Sequence, residues 1–112
     1  MTARQRAFAR HALGLPNNQN TTYRNHFCID KGGDGYEDWE DLVRQKLAVK
    51  ASGRDHWVGD FFYLTLAGAR QVLGSIEHIG REDAEKMHAM QIRIDAEARR
   101  ETPRPPEGVN PK

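Results

Sequence analysis

The residues with the most evident chemistry lie in one short segment, where His26, Cys28 and Asp30 alternate along the chain. On a strand, alternate side chains project from the same face. These residues could begin a metal site with His56, and a neighbouring histidine could act as the base for a Cys28 nucleophile. One cysteine and scattered histidines, however, lack the paired spacing of zinc sites. We therefore predict an ordinary strand with a half-buried cysteine, and neither a metal nor a cofactor.

Signatures of the common catalytic classes are missing from the sequence. It contains no Gly-x-Ser-x-Gly nucleophile turn, no His-Glu-x-x-His zinc helix and no Gly-x-x-x-x-Gly-Lys-Ser/Thr phosphate loop. Its single cysteine cannot close a disulfide within the chain, so folding does not depend on oxidation. We predict that the protein is not an enzyme.

The net charge of +1 over 112 residues conceals an uneven distribution. Residues 1–26 carry four arginines and no acid, residues 27–60 carry eight acids and five bases, and residues 61–112 balance. An electrostatic partner would therefore be selected by one segment rather than by the whole chain. The candidate nucleic-acid contacts are Arg4, Arg6, Arg10, Arg24, Lys50, Arg54, His56 and Trp57. The alternative is that the arginines form an ordinary solvated surface.

Acidic residues crowd the segment from 30 to 41, which resembles the calcium-binding loop of EF-hand proteins. Four residues match loop positions 1, 5, 6 and 9, namely Asp30, Asp34, Gly35 and Asp38. Three positions depart from the pattern. Gly32 at position 3 has no side-chain oxygen, Asp41 at position 12 reaches less far than glutamate, and Glu37 occupies position 8, where an aliphatic residue is usual. The resemblance implies calcium binding by a degenerate loop.

A structural interpretation explains the same acidic residues. The run Gly-Gly-Asp-Gly at 32–35 is typical of a turn, and Asp34 with Glu37 three residues later matches a capping box. Carboxylates in the first turn also favour the positive end of a helix dipole. In a third interpretation, this acidic helix docks a basic protein partner.

Hydrophobic spacing and turn residues predict the order α-β-α-β-β-α, followed by a further helix. The predicted elements are a helix at 3–13, a strand at 23–29, a helix at 36–46, strands at 47–51 and 60–65, and a helix at 65–79 capped by Thr65. An exposed polar loop at 53–59 joins the later strands. The fold class is therefore α+β, with a domain at 1–80, a C-terminal helix at 81–101 and a disordered proline-rich tail at 102–112.

The paired strands and the helix after them resemble winged-helix regulators. The run Phe-Tyr-Leu-Thr-Leu-Ala-Gly at 62–68 corresponds to the Tyr/Phe-x-Leu-Thr-x-x-Gly run that starts the helix after the wing. The resemblance implies a winged-helix-like fold and DNA binding. One departure is the run Glu-Asp-Trp-Glu-Asp at 37–41, because carboxylates at the start of the groove helix would repel phosphates. DNA contact is therefore expected from the first helix and the wing.

The span from about 22 to 73 is also similar to small, mostly uncharacterised proteins of bacteriophages and prophages. The runs that carry this resemblance are Tyr-Arg-Asn-His-Phe at 23–27, Tyr-Glu-Asp-Trp at 36–39, Leu-Ala at 47–48 and Gly-Asp-Phe-Phe-Tyr-Leu-Thr-Leu-Ala-Gly-Ala at 59–69. The resemblance implies a phage-related origin without an established biochemical role.

A thin apolar stripe of Met87, Met90, Ile94 and Ala98 follows the predicted C-terminal helix. It predicts either a homodimer through this helix or packing on the helix's own domain. No apolar run has the length of a membrane span and no signal peptide is evident, so we expect a cytoplasmic protein without membrane contact.

These observations leave two main functional hypotheses. The first is a non-enzymatic phage or prophage regulatory module that binds DNA through its basic first helix and wing. The second is a protein-interaction module, in which the acidic second helix docks a basic host or phage protein.

Overall fold

The computed structural model describes residues 1–52 and 59–101, which form a mixed α+β fold. The elements of this part of the chain are α1 (Ala3–Ala12), β1 (Phe27–Ile29), α2 (Tyr36–Arg44), β2 (Ala48–Ser52), β3 (Asp60–Leu64), α3 (Leu66–Val72) and α4 (Arg81–Glu101). The α+β class and the order of the elements are therefore confirmed. Residues 53–58 of the predicted wing loop and the predicted disordered tail at 102–112 lie outside the described residues.

The three strands form one antiparallel sheet in the order β1-β3-β2. Between β1 and β3, Cys28 pairs with Phe61 and Phe27 pairs with Phe62. Between β3 and β2, Phe61 pairs with Ala51. Because side chains alternate between the two faces of a sheet, Phe27 and Phe62 lie on the inner face, under the helices. The outer face carries Val49, Ala51, Phe61 and Tyr63.

Trp39 of α2 is at the centre of the core. Its indole lies between Phe27 and Phe62 of the inner sheet face, with ring centroids 5.3 and 5.5 Å away. Leu42, one turn later on α2, is also fully buried, as the helical spacing of these residues predicts. The indole Nε1 of Trp39 has no hydrogen-bond partner among the described residues. Stacking and burial of this large side chain therefore hold α2 to the sheet.

The strand predicted at 23–29 is shorter in the structure and spans only Phe27–Ile29. The backbone before it bonds to the end of α1 instead of to the sheet, since His26 N donates to the carbonyl of Ala12 (3.2 Å). The Asn25 side chain both donates to and accepts from the backbone of Leu64, at 3.0 and 2.9 Å. Segment 23–26 is therefore a connector between α1 and β3.

The capping box predicted at Asp34 and Glu37 is wrong. The N-cap of α2 is Gly35, which makes no side-chain cap bond and has a left-handed φ of 100°. A Cβ at this position would lie 2.7 Å from the Phe8 ring, so glycine also permits close packing on α1. By contrast, the cap predicted at Thr65 is confirmed, because its hydroxyl accepts from Gly68 N at 3.0 Å.

The helix predicted at 65–79 ends at Val72. Two α1 arginines bind its last free carbonyls, with Arg6 donating to Gln71 O (2.7 Å) and Arg10 to Val72 O (2.8 Å). Leu73 is extended, and Ile76 is 65% exposed rather than part of a helical core stripe. Periodicity predicted the helix, but contacts from α1 define its end.

Helix α4 has the predicted bounds and joins the core through Met87, which is fully buried. Gln91 Oε1 accepts from Ala67 N of α3 at 3.0 Å, which fixes the next turn of α4. Among the described helices, none is both long enough and apolar enough to cross a membrane.

Candidate functional site

The predicted basic helix and the predicted acidic helix face each other. Arg4 of α1 donates from Nε to Asp38 of α2 at 2.8 Å and also binds Asp34. Gln5 donates from Nε2 to Asp41 of α2 at 2.8 Å, and this bond is the main cause of the lowered pKa of that carboxyl. Part of the predicted basic surface and part of the predicted acidic surface therefore bind each other within the chain.

Lys50 of β2 is also engaged by the acidic helix. Its Nζ donates to Glu40 of α2 at 2.6 Å, which raises the pKa of the lysine and lowers the pKa of the glutamate. Lys50 also lies 5.7 Å from the centroid of the Tyr36 ring, whose hydroxyl donates to Asp60 at 2.6 Å. These contacts join α2 to the inner face of the sheet, so Lys50 has a structural role.

Arg10 has the most enclosed ion pair among the described residues. Its guanidinium donates to both oxygens of Glu77, from Nη1 at 2.6 Å and from Nη2 at 2.8 Å. The side chains of Arg10 and Glu77 are 22% and 7% exposed. Arg10 is the main cause of the low pKa of Glu77, about 2, and the backbone N–H of Gly74 contributes next. The pair fastens α1 to the loop after α3.

Of the eight predicted nucleic-acid contacts, the structure describes five, and each of these five binds another part of the chain. Three pair with carboxylates, namely Arg4, Arg10 and Lys50. Two donate to backbone carbonyls: Arg6 binds Gln71 O, and Arg24 binds His11 O at 2.7 Å. The other three lie outside the described residues, namely Arg54, His56 and Trp57. The distribution of charged residues in the sequence does not distinguish arginines that bind a partner from arginines that bind within the chain.

The acidic segment lines an open cleft of about 730 Å³ between α1 and the start of α2. Two of its carboxylates, Asp34 and Asp38, bind Arg4 across this cleft. Within residues 1–52 and 59–101, no group of three histidine, cysteine or acidic side chains is arranged to hold a metal ion. This geometry gives the calcium interpretation no support.

The structure describes three of the four residues considered for metal binding or catalysis at the start of the sheet. Cys28 is exposed on the outer sheet face, not half-buried as predicted, and its strand neighbour is Phe61. His26 and Asp30 are exposed and lie just outside the short strand. His56, the proposed further ligand or base, falls outside the described residues.

A second concavity is lined by more apolar and aromatic side chains than the acidic cleft. We call it the α4 groove: it lies between the outer sheet face and α4 and has a volume of about 900 Å³. Its floor is formed by Val49, Ala51, Phe61, Tyr63, Met90 and Ile94. Its rim carries both signs of charge, with Arg24, Lys86 and Arg93 opposed by Glu82, Asp83 and Glu97.

Specific contacts hold the base of α4 in place beside the groove. Thr22 Oγ1 donates to Asp83 of α4 at 2.8 Å and accepts from Gly80 N at 2.9 Å. At the mouth, Tyr23 is 66% exposed and lies against the Arg24 guanidinium, 5.3 Å from its ring centroid. Helix α4 is therefore held in place at its first turn, and the groove runs along it from Glu82 to Glu97.

Sequence reasoning missed this groove, although one signal was present. The strands β2 and β3 have apolar or aromatic residues at both alternating sets of positions, so both faces of the sheet are apolar. An outer face of this kind needs a cover or a partner. The Met90 and Ile94 stripe, which we predicted as a dimer seam or an intramolecular contact, turns toward the protein's own sheet and lines the groove.

Comparisons of this chain with models of protein families, with curated proteins and with solved structures gave no match.

Proposed function

We propose that the protein is a non-enzymatic protein-interaction module that binds an extended peptide segment of a partner in the α4 groove. The observation that carries this proposal is the groove itself, with an aromatic and aliphatic floor beneath a rim of mixed charge. Sites that bind ligands are mostly apolar concavities with a few polar groups that fix orientation.

The lining favours a peptide over a nucleic acid. Three cations and three carboxylates line the rim, so the groove offers phosphates no net attraction. Tyrosine and arginine are enriched in the residues that dominate protein interfaces, and Tyr23, Arg24 and Tyr63 lie along this groove. The partner chemistry that fits is an extended segment with an apolar or aromatic anchor between residues of both charges.

The surface that the sequence suggested for protein docking is less suited to this role. The carboxylates Asp38, Glu40 and Asp41 of α2 already bind side chains of α1 and β2. A partner would have to displace these bonds, and it would meet a surface without a large apolar residue at its centre. Charged residues are depleted at the centres of protein interfaces.

The test is a selection from a displayed random peptide library on the full chain. We expect enriched peptides to share an anchor and to lose affinity about tenfold or more on Tyr63→Ala or Arg93→Glu. The matched control is Arg70→Glu, an exposed arginine on α3 outside the groove. Peptides that bind wild type, both groove variants and the control equally would refute the proposal, as would a selection that enriches no shared sequence.

A second candidate is DNA binding by a winged-helix-like module, and the topology favours it. The order α1-β1-α2-β2-β3-α3 and the sheet order β1-β3-β2 agree with that resemblance, and β2 and β3 flank the proposed wing. Against it, only α2 lies between β1 and β2, whereas a helix-turn-helix presents a helix pair. Of the predicted contacts that the structure describes, Arg6 and Arg24 bind backbone carbonyls and not carboxylates. Absence of duplex binding at low salt, where phosphate contacts are strongest, would exclude this candidate.

A further inference from the structure

The solvent-facing side of α4 carries a second pattern, distinct from the stripe that faces the groove. Glu85, Ala89, Ile92, Ala96 and Arg99 follow one another at alternating intervals of four and three residues, and we call this set the outer seam. Such spacing places side chains along one face of a helix and is typical of helix pairs. Ile92 at its centre is a large aliphatic side chain that is 59% exposed.

The opposite side of α4 contacts the rest of the chain. Met87 is buried in the core, Gln91 binds the backbone of Ala67, and Met90 lines the groove. At 100° per residue these positions lie roughly opposite Ile92 or to one side of it. Within residues 1–52 and 59–101, no described ion pair uses Glu85 or Arg99. The outer seam is thus a helix face without a described partner in its own chain.

We propose that the outer seam binds the outer seam of a second copy of this chain, with the two α4 helices antiparallel and crossing at Ile92. Glu85 precedes Ile92 by seven residues and Arg99 follows it by seven. A two-fold axis at Ile92 therefore brings Glu85 of each copy opposite Arg99 of the other, about 10 Å along the helix from the axis.

Charge selects the antiparallel arrangement. In a parallel pair Glu85 would face Glu85 and Arg99 would face Arg99, so both ends would repel. In the antiparallel pair both ends attract, and the flanking Glu82 and Arg100 also come within reach of each other across the axis. The small side chains Ala89 and Ala96 on either side of Ile92 allow the two helices to approach closely.

The size of the contact determines its strength. A single pair of helices of this length buries less than the roughly 1,200 Å² of a standard stable interface. The pair is therefore a reversible, concentration-dependent dimer, and salt weakens it because its end contacts are exposed ion pairs. This inference does not depend on what the α4 groove binds.

The experiment is sedimentation equilibrium of the full chain at low salt over a wide range of concentration. We expect wild type to dimerise, and E85R and R99E each to weaken dimerisation by about tenfold or more. An equimolar mixture of E85R and R99E should form a heterodimer, because the reversed charges complement each other, and the double variant E85R/R99E should recover wild-type dimerisation. The matched controls are E37R on α2 and R70E on α3, both at exposed positions off the seam.

Three results would overturn the proposal. One is a monomeric wild type at the highest concentration reached. Another is a dimer that tolerates both charge reversals. The third is a dimer that Tyr63→Ala in the α4 groove disrupts while E85R and R99E do not, since it would place the contact in the groove. Circular dichroism of each variant confirms that the fold is intact.

Discussion

Replacing Glu77 with glutamine tests the enclosed ion pair that fastens α1 to the loop after α3. In the wild type both carboxylate oxygens accept from Arg10, and Oε1 also accepts from the backbone N–H of Gly74 at 2.6 Å. Glutamine keeps the shape and one acceptor oxygen but removes the charge. The Arg10 guanidinium then loses its counter-ion at a site where it is largely shielded from water.

The magnitude follows from the pKa of Glu77, which is about 2 in the folded protein against an ordinary value of 4.5. Each unit of such a difference is about 1.4 kcal/mol of preference for the charged form in the folded state. Because Arg10 is 22% exposed, water screens part of the attraction. We expect Glu77→Gln to lower the free energy of unfolding at neutral pH by about 2 kcal/mol, below the limit of about 3 to 4 kcal/mol that the unscreened pKa difference sets.

The pH dependence has a definite sign. A carboxyl whose folded pKa is depressed stabilises the fold above its unfolded pKa, and the stabilisation is lost as the pH falls through the folded pKa. The difference in unfolding free energy between wild type and Glu77→Gln should therefore be constant above about pH 5 and should shrink between pH 4.5 and pH 2. Urea titrations at several pH values measure this difference. Other carboxylates titrate in both proteins, so their contributions cancel.

The result that would refute this reasoning is a difference that stays constant down to pH 2. It would mean that glutamine acts through lost packing or an altered backbone rather than through the charge. An exposed substitution of the same type, Glu37→Gln on α2, is the control and should change the unfolding free energy little at any pH.

Two further predictions concern packing and metal binding. Gly68→Ala should lower the free energy of unfolding by more than about 2 kcal/mol in a urea titration, because a Cβ there would lie 2.1 Å from the backbone carbonyl oxygen of Leu47. The control, Gln71→Ala on the exposed side of the same helix, should have little effect. Millimolar calcium should leave the melting temperature equal to that measured with chelator, because Arg4 already binds Asp34 and Asp38; a clear rise with calcium would restore the degenerate loop as a binding site.

Local patterns in the sequence were sufficient for most of the elements. The helical spacing of Trp39 and Leu42 predicted α2 and its buried face, and the hydroxyl of Thr65 predicted where α3 begins. These predictions succeeded because both signals act within one or two turns of the chain. The end of α3 at Val72 was not predictable in this way, since arginines more than sixty residues earlier bind its last carbonyls.

The sequence by itself determined the α+β class, the order of the elements and the uneven charge, because periodicity, turn residues and composition are properties of short stretches. Only the tertiary structure decided what the charges do. Arg4 meets Asp38, and Arg10 meets Glu77, across separations of 34 and 67 residues, so their pairing depends on how α1 packs on α2 and α3. The packing of α4 on α3 placed α4 beside the outer sheet face, where apolar residues from distant segments meet to form the groove. Opposite charges of α1 and α2 neutralise each other because the two helices pack together. Apolar surface stays open in the groove because α4 covers only part of the outer sheet face.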